Sequence, residues 1–277
     1  MFNRRLQLLS RVLERKSSLD IDFFTVLYNI FGPASKFKSR PFLKSISEPK
    51  DSLRAVAFHG YEQILYLPAD MDVNFIYQII CELFRLDEWH YYETPETAVA
   101  PNDYVLDAGA AEGLFTYLVA PRCQKVYAVE PLPAFIDSMT KTFAAQSNVE
   151  ILPYALGASL GRCSLSGSGI CTVVQEDQAG EIQITTVDEL VIAQNRPLSY
   201  LKADLEGYER QMLAGARESI IKYKPKMAIT TYHKQDDHQF ITDFLKSLNL
   251  GYQFKYSGIE ERWGQPVMIH AWVNSDK

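Results

Sequence analysis

Residues 104–116 read YVLDAGAAEGLFT, and the architecture turns on how that stretch is parsed. The run YVLDA (104–108) is short, apolar and rich in strand-forming side chains, which predicts a β-strand with Asp107 at its end. Gly109 and Gly113 then fall in a turn, and a helix is expected over 113–119. Glycine lets the backbone approach a ligand closely, and a helix start offers N–H groups with no partner of their own. The next run, KVYAVE (125–130), ends on Glu130, whose two carboxylate oxygens match the vicinal diol of a ribose. Strand, glycine turn, helix, strand and terminal acid together predict a nucleoside-cofactor site.

Outward from this unit the same alternation continues. Strands are expected at 149–156 (VEILPYAL), 198–205 (LSYLKADL) and 226–233 (KMAITTYH). Helices are expected at 133–145, 208–221 and 236–248. Two last strands, 252–257 and 267–273, are separated by a turn-rich loop and suit a hairpin-like antiparallel edge. Seven strands in this order predict a doubly wound α/β sheet, whose ligands sit outside the carboxyl ends of the strands where the strand order reverses. Toward the N-terminus, helical spacing of Leu6, Leu9, Val12 and Leu13 and the run 21–31, which stops at Gly32 and Pro33, predict two helices. Residues 34–52 read as a connector. Short strands follow around Gly60, and a helix is expected over 73–86. The chain thus divides into an accessory segment of helices and short strands, 1–91, and an α/β domain, 92–277.

Composition bounds the function. The 277 residues are 47% hydrophobic and 22% charged, as expected of a globular chain, and the formal charge of −6 argues against nucleic acid as a partner. Charge is uneven, because residues 1–50 hold ten Lys/Arg against four acids. A basic N-terminal arm is therefore a candidate protein-contact surface. Charges interrupt the opening residues where a signal peptide would be apolar, and no stretch is long enough for a spanning helix. Cys81, Cys123, Cys163 and Cys171 form no CxxC pair, so neither a zinc ribbon nor a disulfide framework is expected, and a reduced cytoplasm is the simplest compartment.

The turn also discriminates between cofactors. A dinucleotide fingerprint would be GxGxxG, and no GK[ST] of a phosphate loop follows. Asp107 and Glu112 would repel a pyrophosphate but suit the sulfonium and ammonium of S-adenosylmethionine. The segments DAGAAEGLFT (107–116), VEP (129–131), YALG (154–157), TVDEL (186–190), KADLEGYERQMLAGA (202–216) and YH (232–233) resemble the FkbM-type S-adenosylmethionine-dependent methyltransferases, from about Tyr92 to the C-terminus. The resemblance implies a class I methyltransferase (Rossmann-like) fold: a seven-stranded, mostly parallel sheet with an antiparallel last strand. It also implies O-methylation of a hydroxyl on a sugar, polyketide or other secondary metabolite. Carried over, Asp107 and Gly109 face the methionine end, Glu130 the ribose, and Ala155 and Leu156 the adenine. Ala110, Gly113, Pro131 and Asp204 complete the cofactor wall, and Tyr92 and Glu93 close over it. The family usually has Asn where this chain has Ala111, which removes any contact from that side chain.

The reacting centre is expected where Asp204 and His233 end two neighbouring strands. Methyl transfer needs in-line approach of an oxygen to a methyl carbon, and an alcohol is a poor nucleophile while protonated. His233, with an ordinary pKa near neutrality, is the expected base, and Asp204 would orient it or hold the acceptor. A metal alternative uses Asp204, Glu206 and His233. Glu209 reads as a helix-dipole acid, His90 and His238 as surface residues, and His59 and His270 as structural histidines. Trp263, in the loop 257–266, and the Ser/Gly-rich loop 164–174 are candidates for acceptor recognition or gating. Two other classes remain open on sequence: a catalytically silent binding module of the same fold, and an NAD-dependent oxidoreductase.

Overall fold

The computed structural model describes residues 33–166, 173–177, 179–260 and 262–274. The two helices expected before residue 33, five of the ten Lys/Arg of the basic arm over 1–50, and Cys171 lie outside the described residues. The main sheet contains β4 (Tyr104–Ala108), β5 (Lys125–Val129), β6 (Val149–Leu152), β11 (Tyr200–Ala203), β12 (Lys226–Thr230), β13 (Gln253–Ser257) and β14 (Met268–Trp272). Their order is β6-β5-β4-β11-β12-β14-β13, and only β14 runs against the rest. The strand order reverses between β4 and β11. The expected edge hairpin is modified: β13 and β14 do pair antiparallel, but β14 inserts between β12 and β13.

The central strands are near-continuous apolar runs because helices cover both faces. Leu106, Leu201 and Ile229 pack on one side with α5 (Glu209–Ala214) and α6 (Arg217–Tyr223), and with Ile241 and Leu245 of α7 (Asp237–Ser247). On the other side lie α3 (Leu114–Val119) and α4 (Pro133–Thr142). The single helix expected over 208–221 is two, α5 and α6, because the chain passes the Gly157 carbonyl at Gly215, where a Cβ would lie 2.2 Å from that oxygen. The single strand expected over 149–156 is also two. Pro153, which has no N–H to donate, separates β6 from β7 (Ala155–Leu156), and β7 joins a second sheet.

That second sheet has the order β7-β10-β8-β9, with β8 (Gly161–Ser166), β9 (Val173–Glu176) and β10 (Ile182–Thr185). The sequence expected a loop over 164–174; its described ends are strand, and 167–172 lie outside the described residues. The connector expected over 34–52 contains a helical turn, α1 (Ser35–Lys38), and a strand, β1 (Leu43–Ile46). The latter pairs with β2 (Leu53–Phe58) and β3 (Leu65–Pro68) in a three-stranded antiparallel sheet.

Helix α2 (Val73–Phe84) starts at Asp72, whose carboxylate accepts from the N–H groups of Asn74 and Phe75. It carries Ile76, Ile79 and Ile80 into a core shared by Phe58, Leu65 and Leu67 with Leu114, Tyr117, Met139 and Phe143. Polar ties reinforce this seam. The Thr142 hydroxyl accepts from the Tyr66 N–H at 2.9 Å, and the Tyr117 hydroxyl donates to the Gln63 carbonyl at 2.7 Å. Accessory strands and α2 are thereby fixed against α3 and α4, and α2 reaches the carboxyl ends of β4 and β11. No helix among the described residues is long and apolar enough to cross a membrane.

Candidate active site

A cleft of about 650 Å³ opens at the carboxyl ends of β4, β5 and β11. Its floor is the turn 109–113. Gly109 has φ +73°, and a Cβ there would stand 1.9 Å from the Asp204 carbonyl oxygen, so only glycine lets β4 turn beside the end of β11. Gly113, at φ +84°, packs on Met139 at the start of α3. Ala111 also has positive φ, +47°, a conformation that asparagine tolerates better than alanine. Its N–H nevertheless donates to Glu130 Oε2 at 2.9 Å, while the Leu132 N–H donates to Glu130 Oε1 at 2.9 Å. Glu130 is thus clamped at both oxygens with its carboxylate on the cleft wall. Burial pushes both it and Glu112 up to about 7. Ala110, Pro131, Ala155 and Leu156 line the same wall, with Phe135 beside them.

Asp107 is placed differently from the expectation. It is fully buried and does not line the cleft. Thr116 of α3 donates to its Oδ2 at 2.7 Å, and Lys202 Nζ stands 3.1 Å from Oδ1. Lys202 also donates to the Gly109 carbonyl at 2.5 Å, and it does line the cleft. Beside the glycine turn and the end of β11 the acidic lining therefore comes from Glu112, Glu130 and Asp204 rather than from Asp107. Sequence reading missed Lys202, although a lysine inside the apolar run LSYLKADL, in phase with Asp204, was the signal. Glu93 is not brought to the cleft: it accepts from the Val99 N–H at 2.7 Å and pairs with Arg122.

The second half of the cleft joins Asp204 to the accessory helix. Asp204 Oδ2 accepts from the Tyr92 hydroxyl at 2.7 Å, and Oδ1 from Thr230 at 3.2 Å. Burial opposes its charge, but the Lys202 and His233 cations outweigh that and hold the carboxyl below its usual range. His233 Nε2 lies 3.7 Å from Asp204 Oδ1 and 3.5 Å from Glu206 Oε2, and its Nδ1 lies 3.0 Å from Glu209 Oε1. Neither ring nitrogen is aligned for a hydrogen bond, so these contacts act through charge. Burial alone would push the imidazole down; Glu206 and Glu209 overcome it and raise it to about 10. That shift favours the protonated imidazole at neutral pH over the neutral base expected from its ordinary pKa.

Glu209 is more than a dipole acid. It is 1% exposed, and its Oε1 accepts from the Leu205 N–H at 2.8 Å, which fixes the turn after Asp204. Glu206 adopts φ +51° in that turn, and this brings its carboxylate back toward His233. The ligand atoms of Asp204, Glu206 and His233 all lie within 4.8 Å of one another. Beyond them, Phe75, Gln78, Ile79 and Glu82 of α2, with Trp89 and Tyr232, form the opposite wall. His90, read as a surface residue, lines this wall as well, with Nδ1 3.9 Å from Glu82 Oε1. Arg262 and Glu260 of the loop 257–266 also line it, whereas Trp263 does not. His59 is exposed just beyond β2, and His270 is buried with Nδ1 3.3 Å from Thr97 Oγ1.

The model of the methyltransferase FkbM domain matches residues 107–254, from Asp107 through β13's first residues. This chain belongs to the FkbM methyltransferase family. The matched domain is that of S-adenosylmethionine-dependent methyltransferases, and the cleft has a lining that suits that cofactor: a carboxylate clamped at both oxygens, an apolar wall and further carboxylates. No curated protein matches. Among solved structures, a methyltransferase FkbM from Methylobacillus flagellatus KT aligns with TM-score 0.51 at 16% identity, over 90% of this chain and 60% of that one. This FkbM chain thus spans 60% of the length of that structure. A putative methyltransferase from Streptococcus mutans in complex with SAH aligns with TM-score 0.41 at 12% identity, over 63% of this chain and 90% of that one.

Proposed function

We propose that this FkbM protein is an O-methyltransferase that moves the methyl group of S-adenosylmethionine to a hydroxyl of a small molecule, a sugar, polyketide or other secondary metabolite. The observation that carries this reading is Asp204. Its ionised carboxylate is oriented by Tyr92 and Thr230 at the junction between the cofactor half of the cleft and the wall built by α2.

The sulfonium of the bound cofactor supplies an electrophilic methyl carbon. Asp204 accepts a hydrogen bond from the acceptor hydroxyl and holds its oxygen toward that carbon. The acceptor oxygen that took this methyl group would become strongly acidic at its proton, and the Asp204 carboxylate would receive that proton. A weakly basic carboxylate is sufficient at that stage. Protonated His233 serves as counter-charge to Asp204 and Glu206, and Glu209 positions it. Tyr92, Glu112, Glu130, Pro131, Ala155 and Leu156 hold the cofactor, with Gly109 and Ala110 giving it room, while Gly113 seats the turn on Met139.

A second reading is favoured by the close approach of Asp204, Glu206 and His233. A divalent cation bound there would take the place of the His233 proton and polarise the acceptor hydroxyl. One experiment tests both. S-Adenosylhomocysteine release is followed with a panel of sugar and polyketide hydroxyl acceptors, before and after chelation. Acceptor-dependent release supports the transferase reading, and loss on chelation with recovery on added magnesium or manganese selects the metal form. Cofactor binding with no release for any acceptor would leave a silent module and sink the proposal.

A further inference from the structure

Lys202 and Asp107 are register partners on adjacent parallel strands, so their side chains leave the sheet on one face, side by side. Asp107 Oδ2 accepts from Thr116, its Oδ1 is paired with Lys202 through charge, and the residue is buried away from the cleft. Lys202 is not: its ammonium reaches the cleft wall beside Gly109, Ala110 and Glu112. From the cleft the ion pair therefore presents its cation only. An ammonium has three N–H donors. The Gly109 carbonyl takes one of them at 2.5 Å, Asp107 Oδ1 stands 3.1 Å away as an ion-pair partner without an aligned hydrogen bond, and the Tyr92 ring lies 5.2 Å from the nitrogen.

The other basic side chains of the cleft are engaged elsewhere. Arg262 is tied to Glu260 at 2.7 Å and to the Tyr232 carbonyl at 3.0 Å, and His90 stands against Glu82. Around the glycine turn the other charged side chains of the wall, Glu112 and Glu130, are acids. S-Adenosylmethionine, however, is not only cationic. Its amino-acid end carries an α-carboxylate, which needs a donor in a site whose acids would repel it.

We infer that the Lys202 ammonium, presented by its buried pairing with Asp107, is the subsite for the α-carboxylate of the methyl donor. This rests on the reading that S-adenosylmethionine occupies the cleft. It explains why a lysine stands in a strand that is otherwise buried and apolar. It also assigns Asp107 a positioning role, since that residue holds Lys202 rather than touching the ligand.

The test is titration calorimetry of the full chain with S-adenosylmethionine and with decarboxylated S-adenosylmethionine, which lacks only the carboxylate. The wild type is expected to bind the carboxylate form about 10- to 100-fold more tightly, the range of one charge-assisted hydrogen bond, even though decarboxylation adds net positive charge. Lys202→Met combined with Asp107→Asn removes both charges and leaves no unpaired ion; it should bind the two ligands within about threefold of each other. Lys202→Arg should recover part of the preference. Equal binding of both ligands by the wild type, or a preference that survives in the double variant, overturns the inference while leaving the methyltransferase reading intact. Failure of the wild type to bind S-adenosylmethionine overturns both. A double variant that does not fold leaves the wild-type comparison and Lys202→Arg to decide.

Discussion

Lys202 Nζ stands 3.1 Å from Asp107 Oδ1 with both side chains withdrawn from solvent, 5% and 0% exposed. Charge burial of this kind is tolerable only while each ion has the other, because the cost of an unpaired buried ion exceeds what the pair itself contributes. Asp107→Ala should therefore act first on stability, by about 3–5 kcal/mol. Urea unfolding of the variant, compared with the Lys202→Met, Asp107→Asn pair, checks this. The double variant should be the more stable of the two, and an Asp107→Ala protein as stable as wild type would contradict the burial argument.

Gly109 and Gly60 separate two reasons for glycine. Both have positive φ, +73° and +82°, but a Cβ at Gly60 meets nothing within 4 Å, whereas at Gly109 it would meet the Asp204 carbonyl at 1.9 Å. Gly60→Ala should cost about 1–2 kcal/mol, the price of the backbone conformation alone. Gly109→Ala should cost clearly more and should also abolish cofactor binding, because the turn and the end of β11 must separate. Thermal unfolding and calorimetry of the two variants side by side give the comparison.

Glu112 and Glu130 sit in the cofactor wall with carboxyls pushed up to about 7 by burial. Below that value they are neutral and above it anionic, so they attract a cationic ligand only at the higher pH. Affinity for S-adenosylmethionine should therefore rise about tenfold between pH 6 and pH 8. Glu130→Gln should flatten the part of the rise that Glu130 supplies, and it should also weaken binding at pH 8 through the lost ribose contact. A profile that stays flat with pH would mean the wall is already ionised at pH 6 or does not face the ligand.

The glycine turn was legible in sequence because its causes are local: an apolar run, two glycines and a strand-terminal acid lie within one βαβ unit. The split that Pro153 imposes on the run 149–156 has a local cause as well, its missing N–H, but the apolar pattern continues across it and the sequence reading carries one strand through. What was not legible depends on contacts between distant segments. Glu209 looks like any first-turn acid until the Asp204–Gly207 turn folds over it. His233 looks like a neutral base until three carboxylates from another turn surround it. Glu93 lies next to Tyr92 in sequence, but Arg122 draws it to the far side of the segment. The α2 wall of the cleft carries no chemical motif, and its role arises only because β2 and β3 fix the helix over β11's end.

His270 provides a pH signature that is independent of the cleft. It lies in β14 between its register partners Ala228 and Lys255, 1% exposed. Burial, with Lys255 adding to it and Glu96 opposing, pushes the imidazole down to about 4 from its ordinary 6.5. Between these values the unfolded chain binds a proton that the folded chain refuses. Stability therefore rises with pH across that window, is fully present above about 6.5, and is lost as pH falls toward 4. The shift corresponds to about 3 kcal/mol. His270→Gln keeps a polar group near Thr97 and removes the titration. The wild-type-minus-variant difference in urea unfolding free energy should thus shrink as pH falls from 7 to 4. A difference that stays constant with pH would place His270 in contact with solvent, and with it the β12-β14 register that encloses the ring would have to be revised.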